Sequence, residues 1–197
     1  MRHAQLALTA LMLAASSLLS GCFTLAVTGV GATAMAIDDR RTLGTNLEDQ
    51  NIEAKSIRIQ LDQFPDAHFN ITSINLGVLI TGEAPTEEMK KAIGAAVANI
   101  ARVKHVTNEL VIGPNSALTA RSTDTLITSN VKTRLIGAAG VSSNQIKVVT
   151  EAGSVFLMGV VTREEGTAAA EVARTSSGVL RVVKVFEYVE KSPARAS

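Results

Sequence analysis

Residues 75–82 read N-L-G-V-L-I-T-G, and residues 152–159 read A-G-S-V-F-L-M-G. Apolar side chains alternate through both, at Val78 and Ile80 and again at Val155 and Leu157, and each stretch ends on a glycine, Gly82 or Gly159. A period of two is the mark of a strand with one buried face. Its return about 76 residues later marks one unit written twice. A second pair of blocks keeps nearly the same offset: Val103, Val106 and Leu110 answer to Val179, Val182 and Phe186.

The other elements of each copy are read outward from that strand. In the first copy, residues 49–61 are expected to be helical and 67–73 with 76–81 to form a hairpin. Thr86 opens a second helix that puts Met89, Ile93, Val97 and Ile100 on one face, and a strand over 106–112 ends at Gly113 and Pro114. In the second copy, residues 124–136 form the first helix and 145–150 with 154–158 the hairpin. Thr162 and Glu165 make a capping box, Gly178 stops that helix, and 182–189 is the last strand. The order α, β, β, α, β predicts an α+β fold of two tandem domains, residues 46–114 and 118–190, each a three-stranded mixed sheet under two helices. Gly77 adjoins Val78, whereas Gly153 stands two residues before Val155, so a different hairpin turn is expected in the first copy.

The N-terminal residues speak to compartment. Arg2 and His3 precede an apolar run over 6–19, and Leu19-Ser20-Gly21-Cys22 closes it at the chain's only cysteine. Such a run is a secretory signal, too short to span a bilayer. The ending resembles the bacterial lipobox, which implies that residues 1–21 are removed and that Cys22 is acylated, palmitate being among the acyl groups. Phe23 stands where lipoproteins kept in the inner membrane usually carry Asp, so the same resemblance implies the outer membrane, facing the periplasm. Residues 22–45 are read as the acylated cysteine and a tether rich in Gly, Ala, Thr and Val, and 191–197 as a tail.

Composition narrows the function. Residues 38–117 carry 8 basic and 11 acidic side chains, and residues 118–197 carry 10 and 7, a split that would orient the protein at an anionic surface. Trp is absent and Tyr occurs once, so nucleic acid is not an expected partner. His68, placed before a strand, and His105, placed at a helix end, have no second cysteine and no acidic residue at ligand spacing. No nucleophile elbow, phosphate loop or carboxylate pair is present. Neither a metal, a cofactor nor an enzymatic activity is expected.

The first helix of the second copy is the candidate surface. At 100° per residue, Ile127, Val131 and Leu135 share the core face, while Leu126, Ser129, Thr133 and Ile136 share the opposite one, with Lys132 alongside. Two large apolar side chains between hydroxyls, flanked by a cation, suit a helix lying among lipid head groups. The first copy has a similar pattern, with Ile52 and Ile59 opposite Ile57 and Leu61, so one outward pair could instead cover the neighbouring domain. Exposed apolar helix faces and sheet edges could also take a protein partner, such as an outer-membrane assembly or division protein, with lipid only as anchor.

The lipobox, the repeated αββαβ unit, the G-x-V-x-L-x-G strand of residues 153–159, T-x-x-G-S-V-F-L-M-G from Thr150 and R-x-V from Arg181 together resemble the BON domain, a lipid-associated module of periplasmic and secreted bacterial proteins. The likeness covers nearly the whole mature chain. It implies a non-enzymatic lipoprotein with two such domains that supports envelope integrity, collects at division sites, and binds an anionic phospholipid such as phosphatidylglycerol or cardiolipin through the first helix of its second domain. Carried over by position, the implied contacts are Leu126, Ser129, Asn130, Lys132, Thr133 and Ile136. Leu126 stands where the family pattern has an aromatic residue, which implies weaker interfacial anchoring.

Overall fold

The computed structural model describes residues 40–190. The signal segment, Cys22, the tether up to residue 39 and the tail 191–197 lie outside the described residues. The first copy runs α1 (Leu43–Gln63), β1 (His68–Ile74), β2 (Gly77–Ala84), α2 (Glu87–Ala98), β3 (His105–Asn108) and β4 (Val111–Ile112). The second runs α3 (Leu118–Ile136), a 3-10 turn (Ser143–Gln145), β5 (Ile146–Glu151), β6 (Ser154–Val161), α4 (Arg163–Arg174) and β7 (Arg181–Tyr188). Both are αββαβ units, as the repeat implied.

Each sheet is mixed. β2 pairs antiparallel with β1 and parallel with β3 and β4, and β6 pairs antiparallel with β5 and parallel with β7. The strand expected over 106–112 is therefore two short pieces, and the first sheet has four strands rather than three. Both pieces keep one register on β2, Ile80 opposite Asn108 and Glu83 opposite Val111. The break falls beside Gly82, whose φ of +117 turns β2 out of line, while Leu110 tucks into the core.

Three of the four helices among the described residues begin with a side-chain cap. Thr42 and Thr86 accept from the amides three residues on, and Thr162 with Glu165 forms the expected capping box. α3 starts after Ala117 with no such bond. α1 and α3 both begin six residues before their expected starts at Asp49 and Asp124.

Those two aspartates do not open their helices. They are buried in mid-helix and reach across to the hairpin turns. Asp49 accepts from the backbone amides of Asn75 (2.9 Å) and Leu76 (2.8 Å) and from Ser73 Oγ (2.7 Å). Asp124 accepts from the amides of Ala152 and Gly153, both at 2.9 Å. Asn75 and Leu76 have φ of 52 and 70, and Ala152 and Gly153 have 47 and 71. Two consecutive positive φ values make a two-residue type I′ turn. The turns are therefore alike, against expectation: Leu76 takes the place of Gly153, and Gly77 is already the first residue of β2.

Strand alternation sends one face of each sheet to its own helices and the other to the second sheet. Phe69, Val78, Ile80, Ile93 and Val97 lie in the first core, and Ile127, Val131, Leu135, Val155 and Leu157 in the second. Ile74 and Leu79 of the first sheet meet Phe156, Met158 and Val160 of the second in a third cluster. The order of layers is thus helices, sheet, sheet, helices. The outward pairs on the helices cover neither domain, because the sheet backs do that work. Asn75 Nδ2 to Glu187 (2.7 Å) and Lys147 Nζ to Glu53 (2.7 Å) tie the edges.

The seam between the sheets also holds carboxylates. Glu83 and Glu151 are buried there, and Asp124 of α3 lines a cleft with Glu151, His68, Asn70 and Arg121 at its border. Burial first, then the charges of Glu83 and Asp124, push the Glu151 carboxyl above its ordinary value of 4.5. A carboxyl whose folded value is raised costs the fold stability when ionised. That cost is absent below about pH 4.5, where both states hold the proton, and it sets in as pH rises through the folded value. Glu151→Gln is expected to raise the denaturation midpoint at pH 7 and to lose that advantage at pH 4, as read by denaturant melts at the two pH values.

Candidate functional site

α3 lies on the outside of the second sheet. Ile127, Val131 and Leu135 are sealed in the core, and Leu126 and Ile136 are 71% and 74% exposed on the other side. Leu118, two turns before Leu126, is exposed on the same face. Ser129, Lys132 and Thr133 are exposed between them, whereas Asn130 is half-buried. Five of the six residues singled out therefore share one open surface, and Asn130 borders it.

The hydroxyls on this helix are less polar than their number suggests. Thr133 Oγ1 donates to the Ser129 carbonyl (2.9 Å), Ser122 Oγ to Leu118 (3.0 Å) and Thr125 Oγ1 to Arg121 (2.9 Å), each four residues back. A threonine bonded this way spends its one donor on its own helix. The face offers methyl groups and three large apolar tips, Leu118, Leu126 and Ile136, with few unsatisfied donors.

Two cations flank it, and their roles differ. Arg134 is a structural residue: its guanidinium donates to the Val172 carbonyl (3.0 Å), Ser176 Oγ (2.6 Å) and Thr175 Oγ1 (3.0 Å), closing the C-terminus of α4. Lys132 is exposed and makes no ion pair among the described residues. It stands at a cleft of about 400 Å³ shared with Arg41, Asp49, Glu53 and Lys147. Arg41 is paired with Asp49 (3.3 Å) and Lys147 with Glu53 (2.7 Å), which leaves Lys132 as the cation there available to an incoming anion.

The chain enters the folded unit beside this helix. Arg40 forks onto Glu165 at 2.6 and 2.9 Å, donates to the Val160 carbonyl (3.0 Å), and donates its amide to Gln145 (3.2 Å). The Arg40 guanidinium holds the Glu165 carboxyl down to about 2. Gln145 and Arg41 line the same cleft as Lys132, so the first described residues lie on the second domain although α1 belongs to the first.

The histidines sit differently from expectation. His68 opens β1 and its Nδ1 lies 3.2 Å from Glu83 Oε2, its cross-strand partner, an acidic neighbour that spacing along the chain does not reveal. His105 opens β3 rather than ending a helix. Among the described residues no group of three His, Cys, Asp or Glu could hold a metal ion, and no helix is long and apolar enough to cross a membrane. Asp49 and Asp124 were the structural residues missed. The signal was present as D-x-x-I at 49–52 and 124–127, where the aspartate precedes the first core isoleucine of each copy.

Comparison with known proteins bears on both copies. The BON domain matches residues 48–114 and 123–190, each match opening one residue before the buried aspartate. Over 184 residues the chain is 32% identical to the outer membrane lipoprotein DolP of Haemophilus influenzae, covering 92% of this chain and 95% of that protein. Over 157 residues it is 34% identical to the 21 kDa hemolysin of Actinobacillus pleuropneumoniae, with 77% and 80% covered. A solved structure of CdsD, a structural protein of the type III secretion system of Chlamydia trachomatis, covers 73% of this chain and 92% of its own at 14% identity, with a TM-score of 0.25 that is too low to carry an argument. With two matches that together span most of its length and a relative alike from end to end, the chain belongs to the BON-domain family.

Proposed function

We propose that this chain is an outer-membrane lipoprotein, acylated at Cys22, that binds anionic phospholipid such as phosphatidylglycerol or cardiolipin through α3 and thereby supports envelope integrity, with enrichment at division sites. The observation that carries the lipid contact is the open exposure of Leu126 and Ile136 directly behind a sealed core face. Burying two such side chains contributes roughly 2 to 5 kcal/mol before ordering costs, and a nearby cation about 1 kcal/mol. Docking of that size is reversible and rides on the acyl anchor. Ser129 and Thr133 bring the backbone close to the head groups, Lys132 meets phosphate, and Asn130 contributes from the rim.

The anchor and the helix are compatible. Cys22 stands 18 residues before Arg40, a reach of at most about 60 Å, and Arg40 is fixed next to the cleft that Lys132 shares. The relative named for haemolysis fits a protein that meets membranes. This chain would meet them by lying on the surface, since no described helix can span one.

Flotation with vesicles tests the reading on the chain starting after Cys22. Leu126→Glu and Ile136→Glu are each expected to lower the bound fraction on phosphatidylglycerol vesicles about tenfold, the equivalent of about 1.4 kcal/mol. Lys132→Ala should weaken binding chiefly at low salt. Equal flotation of all variants and the unmodified chain would remove α3 as the docking surface. It would favour the adaptor alternative, in which these exposed faces take a protein.

A further inference from the structure

α1 carries a second open surface of a different kind. Leu43, Leu47, Gln50, Ala54, Ile57 and Leu61 follow at spacings of four, three, four, three and four residues. That is the seam spacing of a two-stranded coiled coil, and at 3.6 residues per turn it keeps all six within a stripe of about 80°. All six are exposed, the four large ones between 60 and 77%. The opposite face of the same helix holds the buried Asp49, Ile52 and Ser56, so the stripe points straight away from the domain.

We infer that this stripe pairs with the same stripe of a second copy of the chain, the two α1 helices lying side by side and parallel. Charge selects both the partner and the orientation. α1 carries Glu48, Asp49, Glu53 and Asp62 against Lys55 and Arg58, whereas α3 carries Arg121, Lys132 and Arg134 against Asp124. The acidic helix is the poorer match to an anionic bilayer, although its outward face is the more apolar. In a parallel pair, Glu53 flanks the seam opposite Arg58 of the second copy, five residues further on, and the two-fold axis repeats the contact on the other side. An antiparallel pair would bring Glu53 against Glu53. The present bonds of Glu53, from the Ser73 amide and from Lys147, both use Oε1.

The seam is uneven in strength. Leu and Ile fill its two ends, while Gln50 and Ala54 occupy the middle, where a polar residue fixes register at a cost in stability. Two features offset that cost. The helix is already folded on its own domain, so pairing orders little that was loose. Chains anchored in one membrane also meet at a raised effective concentration.

The full chain in its own membrane allows a direct test, because Cys22 is the only native cysteine and the periplasm is oxidising. Ala54→Cys is expected to give a disulfide-linked species of twice the chain mass on a non-reducing gel. The yield should be at least about fivefold above Asn99→Cys, an exposed site at the end of α2, and above the unmodified chain. Adding Leu47→Glu or Ile57→Glu should return it to that background, and adding Arg58→Glu should lower it by setting a like charge opposite Glu53. The inference is overturned if Ala54→Cys links no better than Asn99→Cys. It is equally overturned if the seam substitutions leave the yield unchanged, or if the adduct has the mass of a different protein.

Discussion

Asp124→Ala is expected to cost about 3 kcal/mol of folding stability, and Asp49→Ala somewhat more. Each carboxylate sits inside a helix and holds both amides of a type I′ turn, bonds to a charged acceptor that contribute about 1.5 to 3 kcal/mol apiece when buried. Water reaching the turn after truncation recovers part of that, which is why the sum is not expected in full. Asp49 has the additional donor Ser73 Oγ and holds Leu76 at φ 70, a conformation that costs a branched side chain about 1 to 2 kcal/mol. Asp124→Asn, with one acceptor oxygen left, should lose about half as much. Urea unfolding measures the total, and amide exchange at Gly153 should quicken first.

Gly82→Ala and Gly159→Ala are the second pair of large effects, about 4 and 3 kcal/mol respectively. A methyl group on Gly159 would be forced onto the Gln145 carbonyl, with Ile146 Cα at 3.4 Å, and backbone cannot step aside as a flexible side chain can. On Gly82 it would meet the His68 carbonyl and Phe69 Cα (2.9 Å), and the φ of +117 adds strain whatever the space. Gly113→Ala, with nothing within 4 Å, should change stability by less than about 0.5 kcal/mol. Thermal melts of the three variants decide the point.

These glycines also explain how much of the fold was legible. Gly82 and Gly159 mark the point, two residues before each strand ends, where it lies hard against its antiparallel neighbour, so the same residues that reveal the repeat enforce its geometry. Core faces followed from periodicity, and Ile93, Val97, Ile127, Val131 and Leu135 are all buried. The starts at Thr86 and Thr162 followed from capping, whereas α1 and α3 begin a turn and more before Asp49 and Asp124, whose part as acceptors across the chain no local pattern reveals. The packing of sheet on sheet was also illegible. Val78 and Leu79 are both buried, one toward helices and one toward the other domain, and a two-sided strand shows no polar face from which to infer the second layer.

The outward face of α3 was readable because its two sides are so unequal. Leu126 and Ile136 stand open and Ile127 and Leu135 are sealed, as 100° per residue requires. The division of labour between the cations was not readable, since Arg134 closes α4 from a distance of 38 to 42 residues along the chain. Lys132 keeps its charge for whatever approaches.

An environment-sensitive fluorophore at position 136 bears most directly on the lipid contact. In the chain starting after Cys22, Ile136→Cys supplies a single thiol, and Asn99→Cys gives a label on the end of α2 for reference. The account predicts a blue-shifted, brighter emission from position 136 on phosphatidylglycerol vesicles, little change on neutral vesicles, and none from position 99. An unshifted label at 136 on protein that still floats with anionic vesicles would contradict it.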